Sequence, residues 1–373
     1  NLTGGVRSFL NLVDELSKKG IEPYVVVSEE WALTEELKKL GIPFITSKMY
    51  RPFVGVVDKA RFYHTKYYVK LIFNNIARIK ATKWFRENGV ELVHINSQFA
   101  GIVGAQVAQR LNIPYVYHIR EYLDQDFGVT FYSPKLVEKY IKPANQVIAI
   151  SKAIQAFYQE KLGRRLSLVY NGFPVGIQTY YETEKRFQKD KIHLVIVGRV
   201  NEAKGQQEAL KALNVVVNDF GKKDLVLHIV GYMGKDPYEI ELATYAEEHN
   251  LKENVVFHGF TNNPFEISKQ YDVGLMCSVA EAFGRVTVEY MLASLLVIGA
   301  NTGGTPEIIE DNKSGLLYEQ GNPQDLARKI MWVLDHQEEA NAMMNCGRER
   351  VRKEFSIQAT SDNVINIYHE LTK

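Results

Sequence analysis

His193-Leu194-Val195-Ile196-Val197-Gly198-Arg199-Val200-Asn201-Glu202-Ala203-Lys204-Gly205 is the stretch on which the fold turns. The run 193–197 is apolar with no regular polar alternation, which fits a strand buried on both faces of a parallel sheet. It ends in Gly198 and two cations, Arg199 and Lys204, in a loop leading to a helix. In open parallel sheets, ligands bind beyond the C-terminal strand ends, where helix N-termini offer N–H groups to anions. Either cation alone reads as a solvated surface charge. The pair in this loop reads as a means of neutralising a diphosphate.

Outward from this stretch the same alternation repeats. Downstream, strands are expected at 225–230, 255–257, 273–276 and 296–299, with helices between them. Upstream, Val6, Phe9, Leu10, Val13 and Leu16 follow helical spacing up to Gly20, and strands are expected at 23–28, 43–46, 92–95, 114–119 and 146–150. Helices at 30–40, 99–111, about 134–142 and 152–161 separate them. Strand–helix alternation implies right-handed crossovers and parallel sheets. The spacing therefore predicts two doubly wound α/β domains, 1–178 and 179–355, with the polar segment 176–190 as hinge. Residues 356–373 read as an amphipathic helix returning to the first domain, with Val364, Ile365, Ile367, Tyr368 and Leu371 apolar. A chain of 373 residues, 46% hydrophobic and 24% charged, is also expected to divide in two.

No apolar run reaches the length of a membrane-spanning helix. Cys277 and Cys346 are the only cysteines and fall in stretches that read as core, which points to a reducing compartment and a cytoplasmic address. The chain opens at Asn1, with helical spacing within six residues, so an earlier strand is expected before it. Residues 1–178 carry 24 basic and 15 acidic side chains, a surplus of nine positive charges, while the rest carries 21 and 29, a surplus of eight negative. The first half is expected to meet something anionic.

Two further strand ends carry candidate chemistry. After 273–276 comes Ser278-Val279-Ala280-Glu281-Ala282-Phe283-Gly284-Arg285, then a helix on which Val286, Glu289, Tyr290 and Ala293 share a side. Glu281 and Glu289 can enter one cleft with different tasks, Gly284 permits close backbone approach, and the helix start offers N–H groups to a phosphate. The next strand ends in Asn301-Thr302-Gly303-Gly304-Thr305-Pro306-Glu307. Thr305 and Pro306 make a well-built helix start. The Gly303-Gly304 pair is left over and reads as a flexible loop beside a sugar.

Taken together, the chain resembles family 4 of the retaining glycosyltransferases, with the two-domain GT-B fold in which two Rossmann-like domains face across a cleft. The resemblance rests on Gly4-Gly5-Val6, Ile148-Ala149-Ile150-Ser151, Val169-Tyr170-Asn171-Gly172-Phe173, and Val197-Gly198-Arg199 with Lys204-Gly205. It continues through Val230-Gly231, Val255-Val256-Phe257-His258-Gly259-Phe260, the Glu281–Glu289 pair and Gly303-Gly304-Thr305-Pro306-Glu307. It implies that Arg199 and Lys204 hold the donor diphosphate and offset the charge growing on the leaving nucleotide. It implies that Glu281 binds donor-sugar hydroxyls, that the backbone of Phe283, Gly284, Arg285 and Val286 lies near sugar and phosphate, and that Glu289 binds ribose. Gly198, Gly231 and Phe260 fall at the same donor site, Gly4 and Gly5 close on the diphosphate from the first domain, and His118 lies near the donor sugar. Arg120 is expected either to meet an anionic acceptor or to pair with a carboxylate.

The implied reaction retains anomeric configuration by front-face attack, so the two glutamates are not a hydrolase's acid and nucleophile. The implied partners are a nucleotide-sugar donor and a saccharide or lipid-linked saccharide acceptor. A nucleotide-sugar epimerase and a non-catalytic binding partner of the same fold are the competing readings. No cofactor or metal is expected: Asp124-Gln125-Asp126 has the D-x-D form but reads as an acidic loop, and no His/Cys cluster occurs. Between Asp58 and Glu87 there is no acidic residue, and Lys59, Arg61, Lys66, Lys70, Arg78, Lys80, Lys83 and Arg86 interleave with Phe62, Tyr63, Tyr67, Tyr68, Phe73 and Trp84. This composition suits either an anionic membrane surface or a helix whose aromatics fill the core. Nucleic acid fits the charges but has no supporting motif.

Overall fold

A computed structural model describes residues 3–51, 53–55, 63–98, 101–123, 129–131, 134–174, 187, 191–261 and 263–373, without the side chains at 54, 55, 63–71, 101 and 134. Asp124 and Asp126, residues 59–62 and, apart from Phe187, the hinge 176–190 lie outside the described residues. Contacts divide the chain into two compact units: Asn1–Pro174 with Ile357–Lys373, and Val175–Ser356.

The first unit holds strands β1 (Val25–Val27), β2 (Phe44–Thr46), β3 (Phe53–Gly55), β4 (Val93–Ile95), β5 (Tyr115–Ile119), β6 (Val129–Phe131), β7 (Gln146–Ala149) and β8 (Ser167–Leu168). β4-β5-β7-β8 form one parallel sheet, β1 and β2 a second parallel pair, and β3 and β6 an antiparallel pair. All five residues of β5 are buried, as a strand covered on both faces must be. Leu12 and Leu16 of helix Gly4–Lys18 and Val364 and Ile367 of helix Ile357–Leu371 meet Val116, Ile148 and Val169 in one cluster. The last helix is thus bound to this unit by its apolar stripe.

The second unit is built on one parallel sheet of β9 (Ile192–Val197), β10 (Leu225–Val230), β11 (Val255–His258), β12 (Val273–Met276), β13 (Leu296–Ala300) and β14 (Leu316–Tyr318). Their spatial order is β11-β10-β9-β12-β13-β14. Leu194, Ile196, Leu227 and Ile298 pack against Leu210 and Leu213 of helix Gln206–Asn214 and Leu326 and Ile330 of helix Pro323–Asp335. Successive strands run outward one way from β9 and the other way from β12, so the winding reverses between these two. That is where a doubly wound sheet opens a crevice. Cys277 is buried as its setting suggests, whereas Cys346 sits on an exposed side of helix Gln337–Glu354.

Candidate functional site

The fork between β9 and β12 is the base of the site. The two strands pair only at Leu194–Val273 and Val195–Gly274 before they part. Gly274 leaves room for the ring of Tyr290, which a Cβ there would meet at 2.3 Å. The Tyr290 hydroxyl accepts the Val197 N–H at 2.7 Å and donates to the Val195 carbonyl at 3.4 Å. It thereby satisfies main-chain groups that the diverging strand abandons. Burial pushes the pKa of this phenol up, so it keeps the proton it donates.

Above the fork the loops after β9 and β12 are joined. The Val279 N–H donates to the Ala203 carbonyl at 3.0 Å. Gly205 takes φ +73°, and a Cβ there would stand 2.1 Å from the Cys277 carbonyl oxygen, so only glycine fits. This contact presents the side chains of both loops to each other: Lys204 Nζ lies 2.8 Å from Glu281 Oε2, and both are partly open to solvent. Arg199 is exposed at the end of β9, and its carbonyl accepts from the buried Gln206 amide at 3.1 Å. One turn inside helix Arg285–Leu292, the buried Glu289 accepts from Arg285 Nη2 at 3.0 Å. Each predicted carboxylate therefore has its own cation. Gly284 (φ +103°) precedes that helix, so the N–H groups of its first turn, including that of Val286, follow directly.

Gly303 and Gly304 serve a different purpose from the flexible loop expected of them. Gly303 has φ +57°, and a Cβ there would lie 2.4 Å from the Glu281 carbonyl oxygen. The Gly304 N–H donates to that same oxygen at 2.7 Å. The pair is a backbone seat that fixes the Glu281 loop. The Phe283 ring turns inward onto Phe355, with centroids 5.7 Å apart. Gly198 and Gly231 close the ends of β9 and β10, and Phe260 stands exposed beyond β11. Sequence reasoning missed Tyr290 as the fork's plug and Gln206 as the clamp on Arg199. Their signals were a tyrosine beside Glu289 and a glutamine at the first position of a helix.

The first unit has its own polar group beyond β4 and β5. Arg120 donates to the Asn96 carbonyl at 3.0 Å, to Asn96 Oδ1, to Asn171 Oδ1 and to His118 Nδ1 at 3.3 Å. A guanidinium only donates, so His118 Nδ1 is bare and its proton is on Nε2. His94 Nε2, 3.1 Å from His118 Nδ1, must then donate to it. That leaves His94 Nδ1 to accept the Tyr368 hydroxyl at 2.5 Å. His118 is fully buried, and its Nε2–H finds no partner among the described residues. Burial and the Arg120 charge bring the His94 pKa down to about 3 and that of His118 well below the ordinary imidazole value. Arg120 is held here by the Asn96 carbonyl, the Asn96 and Asn171 side-chain amides and the His118 imidazole. Gly4 and Gly5 open helix Gly4–Lys18 and are exposed.

Residues 2–176 match the family model for Glycosyltransferase Family 4, and residues 179–350 match that for Glycosyl transferases group 1. The chain belongs to this glycosyltransferase family. This glycosyltransferase is 22% identical over 298 residues to N-acetyl-alpha-D-glucosaminyl L-malate synthase of Bacillus anthracis, covering 77% of this chain and 76% of the other. It is 25% identical over 200 residues, 53% of this chain and 52% of the other, to N-acetylgalactosamine-N,N'-diacetylbacillosaminyl-diphospho-undecaprenol 4-alpha-N-acetylgalactosaminyltransferase of Campylobacter jejuni. The crystal structure of Anabaena HepE in complex with UDP superposes with a TM-score of 0.79 at 20% identity, over 100% of this chain and 97% of that one. The fold of the glycosyltransferase is accordingly GT-B.

Proposed function

We propose that this glycosyltransferase moves a hexosyl residue from a nucleoside-diphosphate sugar to a saccharide or lipid-linked saccharide. The transfer retains anomeric configuration and serves assembly of a cell-surface polysaccharide or glycoconjugate. The observation that carries the reading is the meeting of Lys204 with Glu281, 2.8 Å apart, above the fork where the sheet's winding reverses. A diphosphate between the two loops would face the cations Arg199 and Lys204 and the first N–H groups of helix Arg285–Leu292. Negative charge develops on that diphosphate as the glycosidic bond breaks, and pre-placed cations lower the barrier without reorganising. Glu281, seated by Gly303 and Gly304, would orient sugar hydroxyls, and Glu289 would take the ribose. The lone Nε2–H of His118 would suit a sugar hydroxyl oxygen, with Gly4 and Gly5 approaching the diphosphate.

The UDP complex of HepE supports a nucleotide donor, and the name of the Campylobacter relative supports a lipid-linked acceptor. Contact with an anionic membrane surface through residues 59–86, at the cytoplasmic face, belongs to the same reading.

A thermal-shift panel of UDP-, GDP-, ADP- and dTDP-sugars would identify the donor, because a ligand bound by the native state raises its melting temperature. With that donor, Lys204→Ala and Glu281→Ala should each slow transfer by well over about tenfold, more than ~1.4 kcal/mol of barrier. Rates like the wild type's in both variants would refute the assignment. Turnover of donor without any acceptor, yielding an epimer, would replace transfer with epimerisation.

A further inference from the structure

The helix Tyr63–Glu87 carries an apolar stripe that stands exposed among the described residues. Ile72, Ile76 and Ile79 are 59%, 55% and 58% exposed, and Phe73 at their flank is 39% exposed. The opposite side is anchored: Ala77, Ala81 and Phe85 are buried, and Trp84 meets Tyr24 edge-on with centroids 5.5 Å apart. Trp84 and Phe85 are therefore core groups, and the outward apolar surface is made by isoleucines. At 100° per residue, Ile72, Ile76, Ile79, Lys83 and Arg86 fall within an arc of roughly 80° along about 21 Å of helix. The stripe is apolar over its first half and cationic over its second, with Lys83 75% exposed.

Two kinds of occupant could cover such a stripe, and the charges separate them. A second copy pairing helix to helix would need the 4-3 apolar spacing to continue, but positions 83 and 86 are cations, which would oppose each other or face isoleucine. The apolar surface also amounts to only a few hundred Å², against roughly 800 Å² per partner in a stable complex. An anionic bilayer asks for neither length nor continuation. It accepts apolar side chains at the acyl boundary and pairs the neighbouring cations with headgroups. No acidic residue lies between Asp58 and Glu87; within the helix the one opposing charge is Glu87 at its last position, 3.8 Å from Lys83.

We propose that Ile72, Ile76 and Ile79, with Lys83 and Arg86, form a docking face for an anionic phospholipid surface, the helix lying parallel to it. This rests on the membrane contact proposed above for residues 59–86 and locates it. The test is flotation of the full chain with vesicles of phosphatidylglycerol and phosphatidylcholine, against phosphatidylcholine alone, at ~0.15 M salt. The wild type should float with the anionic vesicles and largely stay behind with the neutral ones. The triple variant Ile72→Ser, Ile76→Ser, Ile79→Ser and the double variant Lys83→Glu, Arg86→Glu should each lose about tenfold or more in partitioning. Because these side chains are exposed, both should melt with the wild type, and the charge-reversed double tests the face even if the triple folds poorly. Failure of the wild type to float overturns the membrane contact altogether. Flotation unchanged in both variants overturns this location alone. A wild-type dimer that the triple variant converts to monomer in sedimentation makes the stripe a self-association surface instead. None of these outcomes depends on donor or acceptor, so transfer is judged separately.

Discussion

The ends of the two parallel sheets are built from the same architecture and spend their polar groups in opposite ways. Beyond β4 and β5, Arg120 is 8% exposed and is met by Asn96, Asn171 and His118, while His94 and Tyr368 complete a chain of directed hydrogen bonds. Beyond β9 and β12, the charges of Lys204 and Glu281 stand partly in solvent on loops held by backbone contacts through Gly205 and Gly303. The first end uses a buried charge to organise its own side chains. The second organises its backbone first and leaves its charges at the surface, where a ligand can use them. Burial therefore predicts that substituting Arg120 will cost more stability than substituting Lys204.

The largest effect should come from breaking the first end. Arg120→Ala removes the donor to Asn96, Asn171 and the His118 ring, leaving buried acceptors unmatched at a cost of about 3–5 kcal/mol. For a unit of this size that corresponds to a fall in melting temperature on the order of 10 °C, measurable by calorimetry. Lys204→Ala should change stability by less than ~0.5 kcal/mol, since a partly exposed ion pair contributes little, even though transfer is expected to slow at least about tenfold. Equal destabilisation by the two substitutions would erase the distinction between the ends.

Acidification should act next, and through the same buried group. In the unfolded chain His94 titrates near 6.5, whereas in the folded chain burial and then Arg120 hold it at about 3. Between those values the unfolded chain binds more protons, so stability is full above about 6.5 and falls as the pH drops toward 3, by about 1.4 kcal/mol per unit. At pH 5 this histidine alone should have cost about 2 kcal/mol. Denaturant unfolding between pH 7 and pH 5 measures the loss, and NMR should find the His94 ring still neutral at pH 5. A His94 that is protonated there would mean that the ring is wetter than its surroundings indicate.

Much of this arrangement was legible in the sequence because the central strands are long apolar runs. The run at 193–197 and the alternation around it give the parallel sheets directly, while the strand order that opens the fork is seen only in the structure. Two strands at sheet edges escaped, β14 of three residues and β8 of two. The β3–β6 pair joins segments far apart in the chain, and no local pattern announces such a pairing. At the site, the residue types were readable but their pairing was not, since Lys204 and Glu281 are 77 positions apart. The glycine pair 303–304 was seen but read as flexibility, because sequence cannot tell a glycine that moves from one pressed against a neighbouring carbonyl. Trp84 and Phe73 gave the helix Tyr63–Glu87 an aromatic look, whereas the outward face is set by the phase of its isoleucines.

The smallest effect should come from a chelator. A divalent ion on a diphosphate bridges its oxygens and offsets the charge that grows as the bond to the sugar breaks. At the end of β9 that charge can be met by Arg199 and Lys204, with the N–H groups at the start of helix Arg285–Leu292 adding partial positive charge. Side-chain cations are covalently fixed and beyond a chelator's reach, so if they carry this role transfer should stay within about twofold of its untreated rate in EDTA. The assay gains force when repeated on Lys204→Ala, where an added metal could in principle stand in for the missing ammonium. Complete loss of wild-type activity in EDTA, restored by Mn²⁺, would move the electrophile from the cations to a bound ion. The segment Asp124-Gln125-Asp126 would then be the first place to substitute.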